Sequence, residues 1–288
     1  MKFAGSIILV GISIGIAAAQ QPTVSQGGVV NSANYSTDNP RGSLVTVFGT
    51  NMVSGANELL HASTVPLTTQ MIGKNPATGK TDTISVTVNG TPAPLFYAAN
   101  TQISIQVPWE TKTTELANIV VTLNGTSSAA QQFHVTMYSP GIFTTNQAGT
   151  GMAWVINNDD GTVAQPSAGW PFPKIKVRAA KAGDNLFIYA TGLGPVVSPP
   201  KDGASPCPAS GCPANFAQIA KTTTAPTVLI NGTPIPAANV QFAGLTPFYP
   251  GVYQLNFQMP SGIPASDTTT LQVQAGNVKS NSVTFATQ

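Results

Sequence analysis

One segment of this chain is written twice, and that repeat restricts the fold more than any other feature. Val86-Thr87-Val88-Asn89-Gly90-Thr91-Pro92-Ala93-Pro94 returns as Val228-Leu229-Ile230-Asn231-Gly232-Thr233-Pro234-Ile235-Pro236, 142 positions later. The neighbours repeat in the same order. Val45 to Thr50 precedes the first copy and Leu186 to Thr191 the second, while Gln102 to Pro108 follows the first as Gln254 to Pro260 follows the second. The last pair is 152 positions apart, so the second copy carries about ten extra residues near Ala243 to Val252, the size of a surface-loop insertion. A repeat of this length means two domains of one kind, because solenoid repeats are shorter.

The repeated unit reads as β structure. Leu44 to Phe48, Ile84 to Val88, Ile103 to Val107, Ile119 to Leu123 and Phe133 to Met137 are short β-branched or aromatic runs bounded by Gly, Asn and Pro. Leu186 to Tyr189, Val228 to Ile230, Val252 to Phe257, Leu271 to Gln274 and Val283 to Phe285 form the second set. Several alternate apolar with polar residues, so each buries one face. Asn89-Gly90, Asn124-Gly125 and Asn231-Gly232 fall between such runs, where both residues tolerate the positive φ of a tight hairpin. Each is followed by Thr, as a glycosylation acceptor would be, but the hairpin accounts for all three. The expected fold class is all-β: two immunoglobulin-like β-sandwich domains joined by a β-hairpin connector.

Met1-Lys2, the apolar run Ile7 to Ile16 and Ala17-Ala18-Ala19 predict a secretory signal peptide over residues 1–19. No later stretch has the length of a transmembrane helix. Residues 20–40 are polar and predict a flexible leader. The first domain is expected over 41–138, the connector over 139–180 and the second domain over 181–288. The connector carries Trp154-Val155-Ile156 and then Asn157-Asn158-Asp159-Asp160-Gly161, which predicts its hairpin.

Charged residues make up only 8% of the chain, with 12 Lys and Arg against 10 Asp and Glu. Near-neutrality without a basic patch argues against nucleic acid or an anionic membrane as partner. The run Lys174, Lys176, Arg178 and Lys181 alternates with other residues and reads as a solvated face. Cys207 and Cys212 are the only cysteines, and Pro206, Pro208, Gly211 and Pro213 crowd them into a tight loop, so a disulfide is expected in an oxidising compartment.

Larger motifs resemble a known family. Asn89 to Tyr97, Thr101-Gln102-Ile103 with Gln106-Val107-Pro108, Pro140-Gly141-Ile142-Phe143, Tyr189 to Pro195 and Gly251 to Leu255 resemble the Solibacter-type C-terminal domain family of soil acidobacteria. The resemblance runs from about Arg41 to the end. The repeated half is also similar to the IPT/TIG branch of immunoglobulin-like domains, in which a Val-x-Val-Asn-Gly hairpin and a Gln-x-x-Val-Pro strand end recur. The resemblance implies an exported β-sandwich protein and supplies no catalytic residues.

Catalytic, metal and cofactor motifs are not found. His61 and His134 are the only histidines, and the chain contains neither a His-Glu-x-x-His nor a Gly-x-Ser-x-Gly pattern. Asp159-Asp160-Gly161 lacks the longer acidic loop that calcium requires. Gly192-Leu193-Gly194-Pro195 lacks the Lys-Ser/Thr ending of a phosphate loop. Aromatics remain as candidate ligand contacts: Trp154, Trp170 and Phe172 in the connector, and Phe248 and Tyr249 in the loop enlarged in the second copy. The expected function is a non-enzymatic secreted or cell-surface module for adhesion, matrix or assembly. The alternatives are a carbohydrate-binding module and, from a third class, a hydrolase with a dispersed site. Expected partners are an extracellular protein or a polysaccharide.

Overall fold

The computed structural model of the protein describes residues 21–55, 59–74, 79–113, 116–207 and 210–288. The expected signal peptide, residues 1–19, lies outside them. Two immunoglobulin-like β-sandwiches account for the described residues. In the first, one sheet runs β1 (Thr23–Asn31), β3 (Leu44–Thr50), β9 (Gln102–Gln106), β8 (Leu95–Ala99) and β4 (Leu59–His61). The facing sheet runs β2 (Asp38–Pro40), β12 (Gln131–Thr136), β10 (Leu116–Leu123), β6 (Thr81–Val88) and β5 (Gln70–Lys74). Two short strands, β7 (Thr91–Pro92) and β11 (Thr126–Ser127), extend the hairpins of β6 and β10.

The second sandwich repeats the plan. One sheet runs β13 (Gly141–Ile142), β16 (Asn185–Thr191), β20 (Tyr253–Gln258) and β19 (Val240–Leu245), with β15 (Val155–Asn157) also on β16. The other runs β14 (Gly151–Met152), β23 (Val283–Thr287), β21 (Ser266–Ala275), β17 (Thr227–Ile230) and β18 (Thr233–Pro234), with β22 (Val278–Lys279) on β21.

Period-two burial builds each core. Ile84, Val86 and Val88 on β6 meet Val45, Val47, Ile103 and Ile105 of the opposite sheet. Val228 and Ile230 on β17 meet Ile188, Leu255 and Phe257 in the same way. A fully buried aliphatic or aromatic side chain contributes about 1.5–3 kcal/mol, so these stripes supply the main driving force. All three Asn-Gly pairs have positive φ at both residues. Their Asn side chains also act as clips: the Oδ1 atoms of Asn89, Asn124 and Asn231 accept the N–H groups of Asn118, Thr83 and Thr270 on the neighbouring strand.

The flexible leader expected over residues 20–40 is corrected for the described residues 21–40. β1 pairs antiparallel with β3 and β2 pairs parallel with β12, so this segment enters both sheets of the first sandwich. The segment is polar, but Val29 and Val30 are buried. Two fully buried asparagines hold its bend: Asn31 Oδ1 accepts the Ala33 N–H, and Asn39 Nδ2 donates to the Val29 and Thr37 carbonyls. Backbone pairing, which composition does not register, orders the segment.

The connector begins the second copy in the same manner. β13 pairs antiparallel with β16 and β14 parallel with β23, the counterpart of β1 and β2. Its hairpin-type bridges, Thr144 to Ala153 and Ile156 to Val163, lie against the second core, where Ile142, Ala153, Val155, Ala164 and Ala180 are buried. The second copy's extra residues also fall differently than expected. Ala243 to Leu245 belong to β19, and the excess divides between the 3-10 turn η1 (Ala237–Asn239) and the loop 246–252. The first copy spans the equivalent of that loop with Asn100 and Thr101 alone.

The two copies also differ between β3 and β6 in the first and between β16 and β17 in the second. The first inserts β4 and β5. The second inserts a loop with the short helix α1 (Phe216–Ile219) and the Cys207–Cys212 disulfide. No helix among the described residues is long and apolar enough to cross a membrane.

Candidate binding cleft

The site arises from a contradiction within two strands. On β3 and β9 the inward residues are Val45, Val47, Ile103 and Ile105, so Leu44, Thr46, Ser104 and Gln106 point outward and should meet water. All four are nevertheless buried, because the second sandwich lies over this sheet.

Buried polar side chains fasten that contact. The Leu44 N–H donates to Thr191 Oγ1 at 3.0 Å, and the Thr191 hydroxyl donates to the Gly251 carbonyl at 2.9 Å. Asn31 Nδ2 donates to the Ser139 carbonyl at 2.7 Å. Gln106 is completely buried; its Nε2 donates to the Gly42 carbonyl and its Oε1 accepts the Gly203 N–H at 2.7 Å. Beside it, the Trp109 N–H donates to Asp202 Oδ1 at 2.9 Å, and the Trp109 ring packs against the second core. Burial pushes the Asp202 carboxyl up to about 6; the Trp109 N–H opposes this and Glu110 beside it reinforces it. Gly192 is tightly enclosed at the root of the second copy. It has φ +75°, and a Cβ there would stand 2.2 Å from the Ser139 carbonyl oxygen and 3.2 Å from Asn31 Nδ2 of the first copy. Satisfied buried hydrogen bonds are costly to break, so they fix the relative position of the sandwiches.

Where this contact ends, a cleft of about 530 Å³ opens between the two sandwiches. Tyr35, Phe96 and Tyr97 line it from the first copy, and Phe143, Trp154, Tyr189 and Tyr249 from the second. Tyr35 and Tyr249 form exposed rims at 41% and 56% exposure. Trp154 also anchors a cluster that continues beyond the cleft: its ring centroid is 5.2 Å from Phe172 and 5.7 Å from Trp170. Trp170 is held in place by donating its Nε1–H to the Ile175 carbonyl.

The polar lining is neutral. Ser32, Thr46, Gln102, Ser104, Thr144 and Gln147 contribute hydroxyls and amides. Ser32 and Thr46 share a hydrogen bond, and the Tyr35 hydroxyl donates to the Gln147 carbonyl at 2.6 Å. Burial raises the Tyr97 phenol above its ordinary pKa, and burial with Tyr249 nearby raises Tyr189. Both therefore remain neutral donors at physiological pH. No carboxylate, imidazole, ammonium or guanidinium is part of the lining.

Of the five aromatics singled out in the sequence, Trp154 and Tyr249 line the cleft. Trp170 and Phe172 buttress Trp154. Phe248 is 58% exposed and is not part of the lining. The sequence did not single out Tyr35, Phe96, Tyr97, Phe143 or Tyr189. For Tyr189 a signal was present: it is outward-facing on a strand whose inward residues are Leu186, Ile188 and Ala190.

The remaining chemistry is elsewhere. His61 is exposed at the end of β4 beside Tyr97, and His134 is exposed on β12. Asp160 is held at about 2 by the Thr162 hydroxyl and by Arg178, whose guanidinium also binds Asp184 at 2.6 Å. Among the described residues no three His, Cys, Asp or Glu side chains gather as a metal site.

The IPT/TIG domain family matches residues 29–135, from the end of β1 to β12. No curated protein sequence matches the chain. Among solved structures, the surface glycan-binding protein PbSGBP-B from Prevotella bryantii is similar at 12% identity, with a TM-score of 0.25 over 92% of this chain. The chain spans 42% of that structure's length. The tandem Ig repeats of Dlar are similar at 10% identity and a TM-score of 0.21, covering 94% of this chain and 99% of that one.

Proposed function

We propose that the protein is a non-enzymatic binding module, exported through its signal peptide, that serves adhesion, matrix or assembly outside the cell and takes its ligand in the cleft between the sandwiches. The observation that carries this reading is the lining itself: seven aromatic rings and six neutral hydroxyl or amide side chains, without a carboxylate, imidazole, ammonium or guanidinium. Acid–base and nucleophilic catalysis require ionisable groups placed against the reacting atoms. Binding requires instead an apolar concavity with a few polar groups, which this cleft supplies at a size common for ligand sites. The disulfide agrees with an oxidising compartment. The motifs that resemble the Solibacter-type C-terminal domain family agree with export.

Sedimentation with washed envelope fragments of the producing cells, alongside esterase, peptidase and glycosidase assays, tests the reading. Wild-type protein is expected in the pellet and without turnover. The Trp154→Ala/Tyr249→Ala double variant is expected in the supernatant. Turnover, failure of the wild type to sediment, or equal sedimentation of the double variant would overturn the proposal.

A further inference from the structure

The structure points to a neutral saccharide chain as the ligand of the cleft, an inference that rests on the cleft being the binding site. Three features of the lining select this chemistry over others.

The first is the pairing of flat apolar faces with unspent hydrogen-bonding groups. Gln102, Ser104 and Gln147 line the cleft and make no side-chain hydrogen bond with any described residue. Ser104 is only 4% exposed. A ligand that covered these groups without bonding them would leave their polar atoms dry, which is costly. A pyranose ring offers both halves of the match: its C–H face lies on an aromatic ring while its rim of hydroxyls reaches amides and hydroxyls. The rings and the free polar groups come from both sandwiches, so successive sugars would meet them in alternation.

The second feature is neutrality. A carboxylate, phosphate or ammonium entering this cleft would lose hydration and find no opposite charge in the lining, which disfavours acidic polysaccharides and charged small molecules.

The third feature is that the strands at the centre of the cleft have no free edge. β3 lies between β1 and β9, β9 between β3 and β8, and β16 between β13 and β20. Their backbone groups are already paired, so an extended peptide cannot add itself to them as a strand, one of the recurring ways a sheet binds a peptide. Recognition must pass through side chains, which suits a ligand that carries its own hydroxyls. At about 530 Å³, with Trp170 and Phe172 continuing the aromatic surface outward from Trp154, the site fits a short run of sugars better than a single one.

Titration calorimetry of the mature protein with neutral gluco-, xylo-, manno- and galacto-hexasaccharides, hexagalacturonate and a tryptophan-containing proline-rich decapeptide tests this. At least one neutral hexasaccharide is expected to bind, and hexagalacturonate to bind at least about tenfold more weakly. Trp154→Ala and Gln102→Ala are each expected to weaken saccharide binding about tenfold, Gln102→Ala without moving the thermal midpoint and Trp154→Ala with the protein still folded at the titration temperature, while His134→Ala leaves binding unchanged. Binding of the peptide alone, lost on Trp154→Ala, would overturn the saccharide and leave the cleft as the site. Saccharide binding untouched by Trp154→Ala and Gln102→Ala would overturn the cleft as well. Failure of every neutral hexasaccharide to bind would overturn the saccharide inference.

Discussion

The two sandwiches are alike in their strands and unlike in what their strand ends carry. β6 and β17, β9 and β20, and β3 and β16 occupy corresponding places, and each copy threads its first strand into one sheet and its second into the other. At the end of β3 the chain turns at Asn51 with φ +56°; at the matching end of β16 it turns at Gly192 with φ +75°. Asn51 extends its side chain to donate to the Gln21 carbonyl, whereas Gly192 lies against the Ser139 carbonyl. The same turn has become a joint in one copy and remained a surface corner in the other. The loops follow the same division. The two-residue turn Asn100-Thr101 ends the first copy's hairpin, and the longer loop 246–252 of the second places Tyr249 on the rim of the cleft. The frame repeats because it folds each half; the departures are where the halves meet and where a ligand would enter.

If the frames are equivalent, matching core positions must be equally costly to empty. Ile105 and Phe257 occupy the same place on β9 and β20, and neither has any exposed surface. Ile105→Ala is expected to destabilise its sandwich by about 2–5 kcal/mol and Phe257→Ala by about 3–5 kcal/mol, read from chemical denaturation. A negligible loss in one copy would break the equivalence. The joint gives the next effect. Gly192→Ala combines a left-handed backbone with a clash against Ser139 and is expected to cost about 3 kcal/mol, while Asn51→Gly stays within about 0.5 kcal/mol of wild type. Similar losses at both positions would show that the turns do not differ as described.

The disulfide belongs to the second copy's insert alone. Cys207→Ser with Cys212→Ser is expected to lower stability by about 2 kcal/mol, the contribution of a short closed loop, and to leave circular dichroism of the strands unchanged. The hairpin clips recur in both copies, so Asn89→Ala and Asn231→Ala are each expected to cost about 1 kcal/mol, a hydrogen bond together with a residue less suited to positive φ. A loss at only one of them would show that the turns are not equivalent.

A further effect concerns pH at the joint. The folded pKa of Asp202, about 6, lies above its ordinary unfolded value of about 3.9, so the folded state holds the proton more tightly. Its contribution is therefore complete below about pH 4 and is lost as the pH rises through about 6. Asp202→Asn keeps an oxygen for the Trp109 N–H and is expected to flatten that part of the stability profile. An unchanged profile would remove Asp202 as its source.

The sequence made the frame legible because the frame is local chemistry. Alternating Val and Ile on β6, β9 and β17, and Asn-Gly turns with positive φ, are visible without a partner. All ten apolar runs picked out by this pattern fall on strands to within one residue at an end. Segments ordered by backbone pairing were not legible: β1 and β2 contain Ser, Gln, Gly, Asn and Pro, and read as a leader. The cleft was half legible. Trp154 and Tyr249 were visible as aromatics outside the strand pattern, whereas Tyr97 and Tyr189 are strand residues whose outward faces become a site only when the other sandwich covers their neighbours. Likewise Thr46, Ser104 and Gln106 looked like ordinary solvent-facing positions, and only the packing of one copy on the other shows that they are buried.

The account's central claim is that both copies build one site. Titration of the hexasaccharide that binds best into Phe96→Ala, from the first copy, and Trp154→Ala, from the second, tests it most directly when thermal midpoints are measured on the same samples. Each substitution is expected to weaken binding about tenfold while the midpoint stays well above the titration temperature. Wild-type affinity in either variant would assign the ligand to one sandwich and contradict a site shared by two.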